Sequence, residues 1–299
     1  MNSISKILSE NGPLTGRQLQ HKSQLDVLSL WRSCVKSEEL ISRISGKRYL
    51  RLDKNVDGYA RLSPSIMREF LTYTIIGLKK DAAQIDRMSL TLGKKIERIS
   101  KEKYSLAKNT IRRLVEDRPD AQKLLENACF IIAGDIVYNM AHEDPRPESS
   151  TEEMIKGSDL DIVIVTDNLS ADVVKELDKA IYQQKYYLMK TPPYNEEIDY
   201  VIKDMAKVED QLHFDSFEHK VAAKLLHEGK FLYGSMNIFE AIKKMLAEEA
   251  IPDKLASLEI EAVKDREQAI ISLSNSAGGI LEEGDSKLFY TREEIEEIF

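Results

Sequence analysis

The sequence predicts an α+β protein, and three observations support that prediction. Residues 119–245 alternate short apolar runs, typical of buried strands, with helical segments. Residues 71–118 are long, polar and free of proline, and residues 246–299 again place apolar residues at helical spacing. Residues 1–70 combine short helices with a hairpin-like piece. We therefore expect an N-terminal domain, a helical linker, a sheet-containing domain and a helical C-terminal region, with these bounds.

The N-terminal part is expected to hold three short helices and two strands. Thr15 can cap the second helix and Ser23 the third, because small hydroxyl side chains accept hydrogen bonds from the first free N–H groups of a helix. Leu40–Ile44 and Arg48–Leu52 are typical of two strands, with a glycine-containing turn at Ser45–Lys47.

Three helices followed by a hairpin resemble a winged helix-turn-helix domain over roughly residues 3–62. The resemblance implies a duplex-DNA surface within residues 1–62, formed by the third helix and the hairpin. Winged helices also dock proteins, and Asp26 in the third helix opposes DNA, so both uses stay open. The side chains expected to face DNA are Gln24, Ser29, Arg32 and Ser33 in the helix and Arg43, Lys47, Arg48 and Arg51 in the hairpin.

Apolar residues continue through residues 74–118, mostly at gaps of three or four, from Ile75 and Leu78 to Leu114. This spacing predicts one or two amphipathic helices. Such a helix either bridges and packs on the body of the protein or forms the seam of a coiled-coil homodimer. Gly93 and Lys103 interrupt the stripe and weaken the second alternative.

The composition indicates a protein of a reducing, cytoplasmic compartment with no membrane partner. No apolar run approaches the roughly 20 residues of a membrane span, and the first residues lack the apolar segment of a secretory signal. The two cysteines, Cys34 and Cys129, are expected to be core residues. The net charge is −8. Residues 1–80 hold 14 basic and 7 acidic residues, whereas the remainder holds 29 and 44.

An Asp-x-Asp motif on an apolar strand carries the clearest chemical signal. In Gly157–Val165, alternation places Asp159 and Asp161 on one face of a strand, about 6–7 Å apart. Two carboxylates at the start of a buried strand are costly unless a cation lies between them, and Mg²⁺ is the usual one. Asp199 lies on a second apolar strand, plausibly on the same face. Three acids on neighbouring strands suit two metal ions.

The set Gly134, Gly157–Asp161 and Asp199 resembles the nucleotidyltransferase superfamily that includes DNA polymerase beta, over about residues 125–245. The resemblance implies a mixed sheet, a helix after Gly134 at Val137–Ala141, and Mg²⁺- or Mn²⁺-dependent transfer of a nucleoside monophosphate from an NTP.

By position in the family motif, the resemblance also implies roles for individual residues. Asp159 and Asp161 would bind both metals, and Asp199 would hold the catalytic metal and help to deprotonate the acceptor. The Gly134 turn, with Gly157 and Ser158, would contact the triphosphate. The run Gly229–Gly234 resembles a later strand of small bacterial members.

Two features depart from the family. Asp135 stands where the family usually has a phosphate-contacting serine, and Ser158 is a candidate to compensate. The insertion His142–Lys156 lengthens the segment before Asp159 and is expected to be a lid or to shape the acceptor site. Lys220 and Lys224, four residues apart on a predicted helix, either reach the triphosphate or form a solvated helix face.

Three functions therefore stay open. The first is an enzyme that transfers a nucleoside monophosphate to a hydroxyl of a protein, a nucleic acid or a small molecule. The second is a DNA-binding regulator whose nucleotidyltransferase-like domain is a sensor or scaffold. The third is a toxin or phage-defence nucleotidyltransferase.

Overall fold

The computed structural model describes residues 3–147, 154–275, 283–291 and 294. The protein is α+β, with several small sheets. Its described residues fall into two compact units, one from Glu97 to Ala256 and the other combining the residues up to Ile96 with those from Ser257 onward. These bounds differ from the four stretches expected from the sequence. None of the helices in the described ranges combines the length and the apolarity that crossing a membrane requires.

The first unit begins with helices that alternate with short strands. Its elements up to residue 78 are α1 (Ser3–Asn11), β1 (Leu14–Thr15), α2 (Gly16–Ser23), α3 (Val27–Lys36), β2 (Leu40–Ile44), β3 (Tyr49–Leu52), β4 (Ala60–Ser63), α4 (Ile66–Tyr73) and β5 (Thr74–Leu78). The long helix α5 (Ala82–Glu116) follows. Near the other end of the chain lie α11 (Ile251–Asn275) and α12 (Glu283–Phe289).

The first three helices are present, and their caps can be compared with the expected ones. The Thr15 hydroxyl accepts a hydrogen bond from the Gln18 backbone N–H at 3.2 Å, while the Gln18 side chain accepts one from the Thr15 N–H at 3.0 Å. This reciprocal box begins α2 as expected. The cap of α3 is Asp26, not Ser23, and its carboxylate accepts from the Ser29 N–H at 2.9 Å. Asp26 is therefore the residue at which α3 begins.

The expected hairpin between Leu40–Ile44 and Arg48–Leu52 is wrong. Strand β2 pairs antiparallel with β5, and β3 pairs with β4. The three-stranded sheet has the order β1-β5-β2, so β5 is its central strand, and all five of its residues are buried. Ile75 and Leu78, expected in a helix, lie in this strand because a run of buried, largely apolar residues suits a central strand.

The apolar stripe of α5 is covered by the chain itself. Ile85, Ile96, Ile99 and Ile111 are at most 3% exposed. A coiled-coil homodimer would need this stripe at its seam, so the bridging alternative describes α5 better.

The C-terminal helices pack against the N-terminal part of the same unit. The Trp31 and Phe289 rings meet edge to face, with centroids 5.8 Å apart. The buried Arg61 guanidinium donates to the Lys287 carbonyl oxygen at 2.9 Å. Burial of an aromatic pair and of a hydrogen-bonded guanidinium holds the two ends of the chain together.

The second unit is built on one mixed sheet. Its elements after α5 are α6 (Ala121–Asn127), β6 (Ala128–Ile132), β7 (Pro145–Pro147), β8 (Met154–Lys156), β9 (Leu160–Thr166), α7 (Ala171–Lys190), β10 (Ile198–Asp204), α8 (Met205–Gln211), α9 (Phe217–Glu228), β11 (Lys230–Gly234) and α10 (Met236–Glu248). The sheet order is β10-β9-β6-β11. Strands β10 and β9 are parallel, and the other pairs are antiparallel.

The segment between β6 and β9 differs from the expected one. No helix forms at Val137–Ala141; a single 3-10 turn, Gly134–Ile136, follows β6. Asn139 has a left-handed backbone with φ of 57°, which a continuing helix does not allow. The described residues of the insertion include β7 and β8, which pair antiparallel with Arg146 opposite Ile155; residues 148–153 lie outside the described residues.

Both thiols are shielded, as expected for core residues. Cys129 is fully buried in β6, and Cys34 is half-buried against the apolar core of the first unit. Burial raises the pKa of both thiols to about 12, so neither supplies a thiolate near neutral pH.

The buried Lys203 of β10 predicts a pH-dependent stability. Burial, with the nearby Lys207 charge, lowers the pKa of Lys203 to about 8, whereas an unfolded lysine titrates near roughly 10.4. Between these values the unfolded chain binds more protons, so this group adds stability as pH rises. Lys203→Met should therefore be more stable than wild type at pH 7, with a difference that shrinks towards pH 10 in urea unfolding. If the stability difference between Lys203→Met and wild type stayed constant from pH 7 to pH 10, the burial of the Lys203 charge would be contradicted. Lys179→Met, which changes an exposed lysine, is the control.

Candidate functional site

The Asp161 and Asp199 side chains belong to neighbouring parallel strands in direct register. Parallel neighbours lie about 4.8 Å apart and place their side chains on the same face of the sheet. Asp161 on β9 is half-buried, and Asp199 on β10 is exposed. The sequence could predict a shared face, and the pairing of β9 with β10 adds that the two residues are immediate neighbours.

Gly134 makes room for the Asp161 carboxylate. Its φ is +68°, and a Cβ at this position would lie 1.9 Å from Asp161 Oδ2. A side chain here would therefore collide with the carboxylate and strain the backbone. The glycine turn after β6 and the start of β9 thus come together at one end of the strands, as the motif predicts.

Asp159 is held by a cation from the insertion hairpin. The Arg146 guanidinium forms an ion pair with the Asp159 carboxylate, donates to Glu197 Oε2 at 3.1 Å and donates to the Gly157 carbonyl oxygen at 2.9 Å. Lys185 of α7 also reaches Glu197, at 3.2 Å. The insertion therefore covers the start of β9 and brings a fixed positive charge to the acidic cluster.

The electrostatics of Asp159 reflect this crowding. Burial raises the pKa of Asp159 well above its usual value. Arg146 opposes the rise, whereas Asp161, Glu197 and Asp199 add to it by repulsion. Four carboxylates thus share one region with two cations, the Arg146 guanidinium and the Lys185 ammonium, and a further cation would still stabilise the cluster.

The Gly134 N–H expected to face a triphosphate is bonded within the protein. It donates to Glu228 Oε1 at 3.1 Å, and the Tyr138 hydroxyl donates to Glu228 Oε2 at 2.7 Å. Lys224, one turn earlier on α9, forms an ion pair with Glu228. Lys224 therefore lies beside the glycine turn but is engaged by this buried acid. Lys220 lies a further turn away, with its Nζ 5.9 Å from the centre of the Phe214 ring.

Asp135 and Ser158 contact each other. The Ser158 hydroxyl donates to Asp135 Oδ2 at 2.7 Å, and the same oxygen of Ser158 accepts from the His142 N–H at 3.2 Å. A Cβ on Gly157, whose φ is +48°, would lie 2.0 Å from the His142 carbonyl oxygen. Asp135, which departs from the family motif, and Ser158, the candidate to compensate for it, thus hydrogen-bond to each other. Their contact fixes the turn that precedes β9.

A buried lysine, which the sequence did not identify as a site residue, hydrogen-bonds to the backbone of the turn before β9. Lys103 of α5 donates to the Lys156 and Ser158 carbonyl oxygens at 2.9 and 2.8 Å and forms an ion pair with the buried Glu196. The signal in the sequence is a lysine within an apolar stripe, which by itself indicates only a break in a dimer seam. Glu228 and Arg146 gave no local signal, because their partners lie far away in the sequence.

The fit of Mg²⁺ to these residues is partial. Within the described ranges, no group of three or more histidine, cysteine, aspartate or glutamate side chains is placed to hold a metal ion. Protein-bound Mg²⁺ is typically held by one or two carboxylates together with water and substrate phosphate oxygens. Asp161 and Asp199 meet that description, whereas the Asp159 carboxylate is bonded to Arg146.

The basic side chains expected at a DNA surface are partly used inside the first unit. Arg32 Nε donates to the Leu273 carbonyl oxygen at 2.7 Å, so this residue does not face outward as expected. Arg48 forms a two-bond pair with Glu69, at 2.6 and 2.8 Å, and Arg266 joins the same carboxylate at 3.1 Å. Arg32 and Arg48 are therefore both engaged by partners within the first unit.

Comparisons of the chain with protein-family models, with curated proteins and with solved structures found no match.

Proposed function

We propose that the second unit is a nucleotidyltransferase that moves a nucleoside monophosphate from an NTP to a hydroxyl. The observation that carries the proposal is the direct register of Asp161 and Asp199 beside the Gly134 turn. Asp159, two residues before Asp161, completes the acidic motif, and β11 follows α9 where the family resemblance expects a strand. The site is thus an acidic cluster at the ends of the strands, next to a glycine turn.

In the proposed reaction the acceptor oxygen forms a bond to the α-phosphorus, the bond from that phosphorus to the bridging oxygen breaks, and pyrophosphate leaves. Asp161 and Asp199 are the residues that would hold Mg²⁺. When bound, such an ion neutralises phosphate charge and lowers the pKa of a coordinated hydroxyl. The Asp199 carboxylate, which is exposed, would accept the proton of the acceptor hydroxyl.

Fixed positive charge would come from the chain itself. Arg146 is tied to Asp159, Glu197 and the Gly157 carbonyl, so its guanidinium is held in place. A preorganised guanidinium stabilises charge that develops on phosphate oxygens. Glu228 acts as a positioning residue, because its bonds to the Gly134 N–H and the Tyr138 hydroxyl fix the glycine turn.

The proposal is tested by incubating the purified chain with each α-labelled NTP in Mg²⁺ or Mn²⁺, beside the double variant Asp159→Ala/Asp161→Ala. Products are separated by thin-layer chromatography and by gel, after addition of a cell extract freed of small molecules and, separately, of a metabolite pool. We expect label in a new species with the wild type only. Equal labelling by the double variant, or no labelled species from the folded wild type under any of these conditions, would refute the proposal.

A further inference from the structure

A groove of about 1080 Å³ in the second unit follows β10 next to α7. Six consecutive residues of β10, from Asp199 to Asp204, line it. Successive residues of a strand point to opposite faces of a sheet, so one face alone could not supply all six. β10 is the last strand in the order β10-β9-β6-β11. The groove therefore runs along the free edge of the sheet and begins at Asp199.

The backbone of this edge is open to another strand. The Leu160 N–H donates to the Glu197 carbonyl oxygen at 2.9 Å, and a parallel ladder uses every second residue of a strand. Asp199, Val201 and Lys203 therefore bond to β9, while Tyr200 and Ile202 present their N–H and C=O groups to the groove. In the described part of the chain, these two residues make no backbone hydrogen bond on that side. Unpaired edge groups of this kind are a template for an added strand.

The opposite wall of the groove belongs to α7 and carries positive charge and an aromatic ring. Lys175 forms no ion pair within the described residues, and Tyr182 is 64% exposed. The acid nearest to them is already bonded, because Asp178 accepts from the Tyr200 hydroxyl at 2.8 Å. Asp204 at the far end caps α8, accepting from the Lys207 N–H at 2.7 Å. These hydrogen bonds leave both aspartates charged, so the balance is set by the whole lining, which holds four lysines and three aspartates, a net charge of +1.

We propose that this groove binds an extended, acidic peptide segment of a partner protein, added as a strand to the edge of β10. A peptide supplies alternating N–H and C=O groups to Tyr200 and Ile202, and its acidic side chains would pair with Lys175. A polynucleotide offers no such alternating backbone partners. This inference rests on the proposed function and assigns the class of acceptor. The acceptor is a serine, threonine or tyrosine hydroxyl of the bound peptide, located at Asp199. The hydroxyl proton passes to the Asp199 carboxylate as the new oxygen–phosphorus bond forms and pyrophosphate leaves.

Binding is tested without NTP and with the metal chelated, so that a failure of transfer does not affect the result. A random nine-residue peptide library is passed over the immobilised full-length chain and over Lys175→Glu and Lys179→Glu. Lys175 and Lys179 are both exposed lysines of α7, and only Lys175 lines the groove. We expect acidic peptides rich in β-branched residues to be enriched on the wild type and on Lys179→Glu, and lost on Lys175→Glu. No enrichment, or equal enrichment on all three proteins, would overturn the proposal.

The mode of binding is tested with the best enriched peptide and two copies of it. One copy carries N-methyl groups on its odd-numbered backbone amides, and the other carries them on its even-numbered amides. Pairing along one edge predicts that one copy binds at least tenfold more weakly and that the other binds like the parent peptide. Equal loss in both copies, no loss in either, or displacement of the peptide by a ten-residue oligothymidylate with full dependence on Lys175, would contradict a peptide strand at β10.

Discussion

Asp161→Asn is expected to lower nucleotidyl transfer by about 100-fold or more, because an uncharged amide is a poor ligand for the Mg²⁺ that Asp161 would hold, and the loss of one group that stabilises developing phosphate charge has a cost of this order. The amide keeps nearly the shape of the carboxylate, so the contact with Gly134 is retained. Stability should not fall, because Asp161 is among the charges that raise the pKa of Asp159 by repulsion. Transfer is measured with α-labelled NTP and stability by thermal unfolding.

Asp167→Asn is the matched control for this variant. Asp167 follows the last residue of β9, at the opposite end of the strand from Asp161, and is similarly half-buried. The same chemical change there should leave transfer within about twofold of wild type, because the residue lies away from the proposed chemistry. Full activity of Asp161→Asn, or equal losses in both variants, would remove the assigned role from Asp161.

Lys103→Met is expected to lower the free energy of unfolding by about 3–5 kcal/mol, the usual cost of removing one partner of a buried ion pair. Methionine replaces the aliphatic stem but leaves Glu196 and the Lys156 and Ser158 carbonyl oxygens without their donor. Urea unfolding measures the loss. Transfer should also fall, since the Ser158 turn leads directly into the Asp-x-Asp strand.

Two further variants keep this prediction testable. Lys101→Met removes an exposed lysine of the same helix, which pairs with Glu97 one turn away, and should unfold like wild type. If Lys103→Met does not fold, Lys103→Met/Glu196→Leu should recover part of the stability, because no buried charge is then left unpaired. A loss below about 1 kcal/mol in the single variant would show that the pair does not hold the turn.

Local patterns predicted the strands that carry Asp161 and Asp199 and the tight turn at Gly134. Asp159, expected on the same strand as Asp161, lies one residue before β9 begins. The reciprocal cap at Thr15 was also readable, since its partner Gln18 lies three residues away. In each case the contacting residues lie close together in the sequence, or the two-residue repeat of a strand determines which face of the sheet a side chain occupies.

Pairing between distant segments was not predictable from the same patterns. Strand β2 pairs with β5, whose residues lie 30 to 38 positions away, whereas the glycine turn after Ile44 predicts a shorter hairpin. The helix expected at Val137–Ala141 fails because Asn139 adopts a left-handed backbone. Arg146 and Glu228 act through partners that only the folded sheet brings near, so no spacing rule could have assigned them.

The fate of each phosphate of the NTP tests the central claim most directly. The folded chain is incubated with one NTP labelled at the α-phosphate and, in parallel, with the same NTP labelled at the γ-phosphate, together with the peptide selected above. A nucleotidyltransferase places the α-label on the acceptor and the γ-label in pyrophosphate. The γ-label on the acceptor, or both labels left in unreacted NTP, would contradict the account.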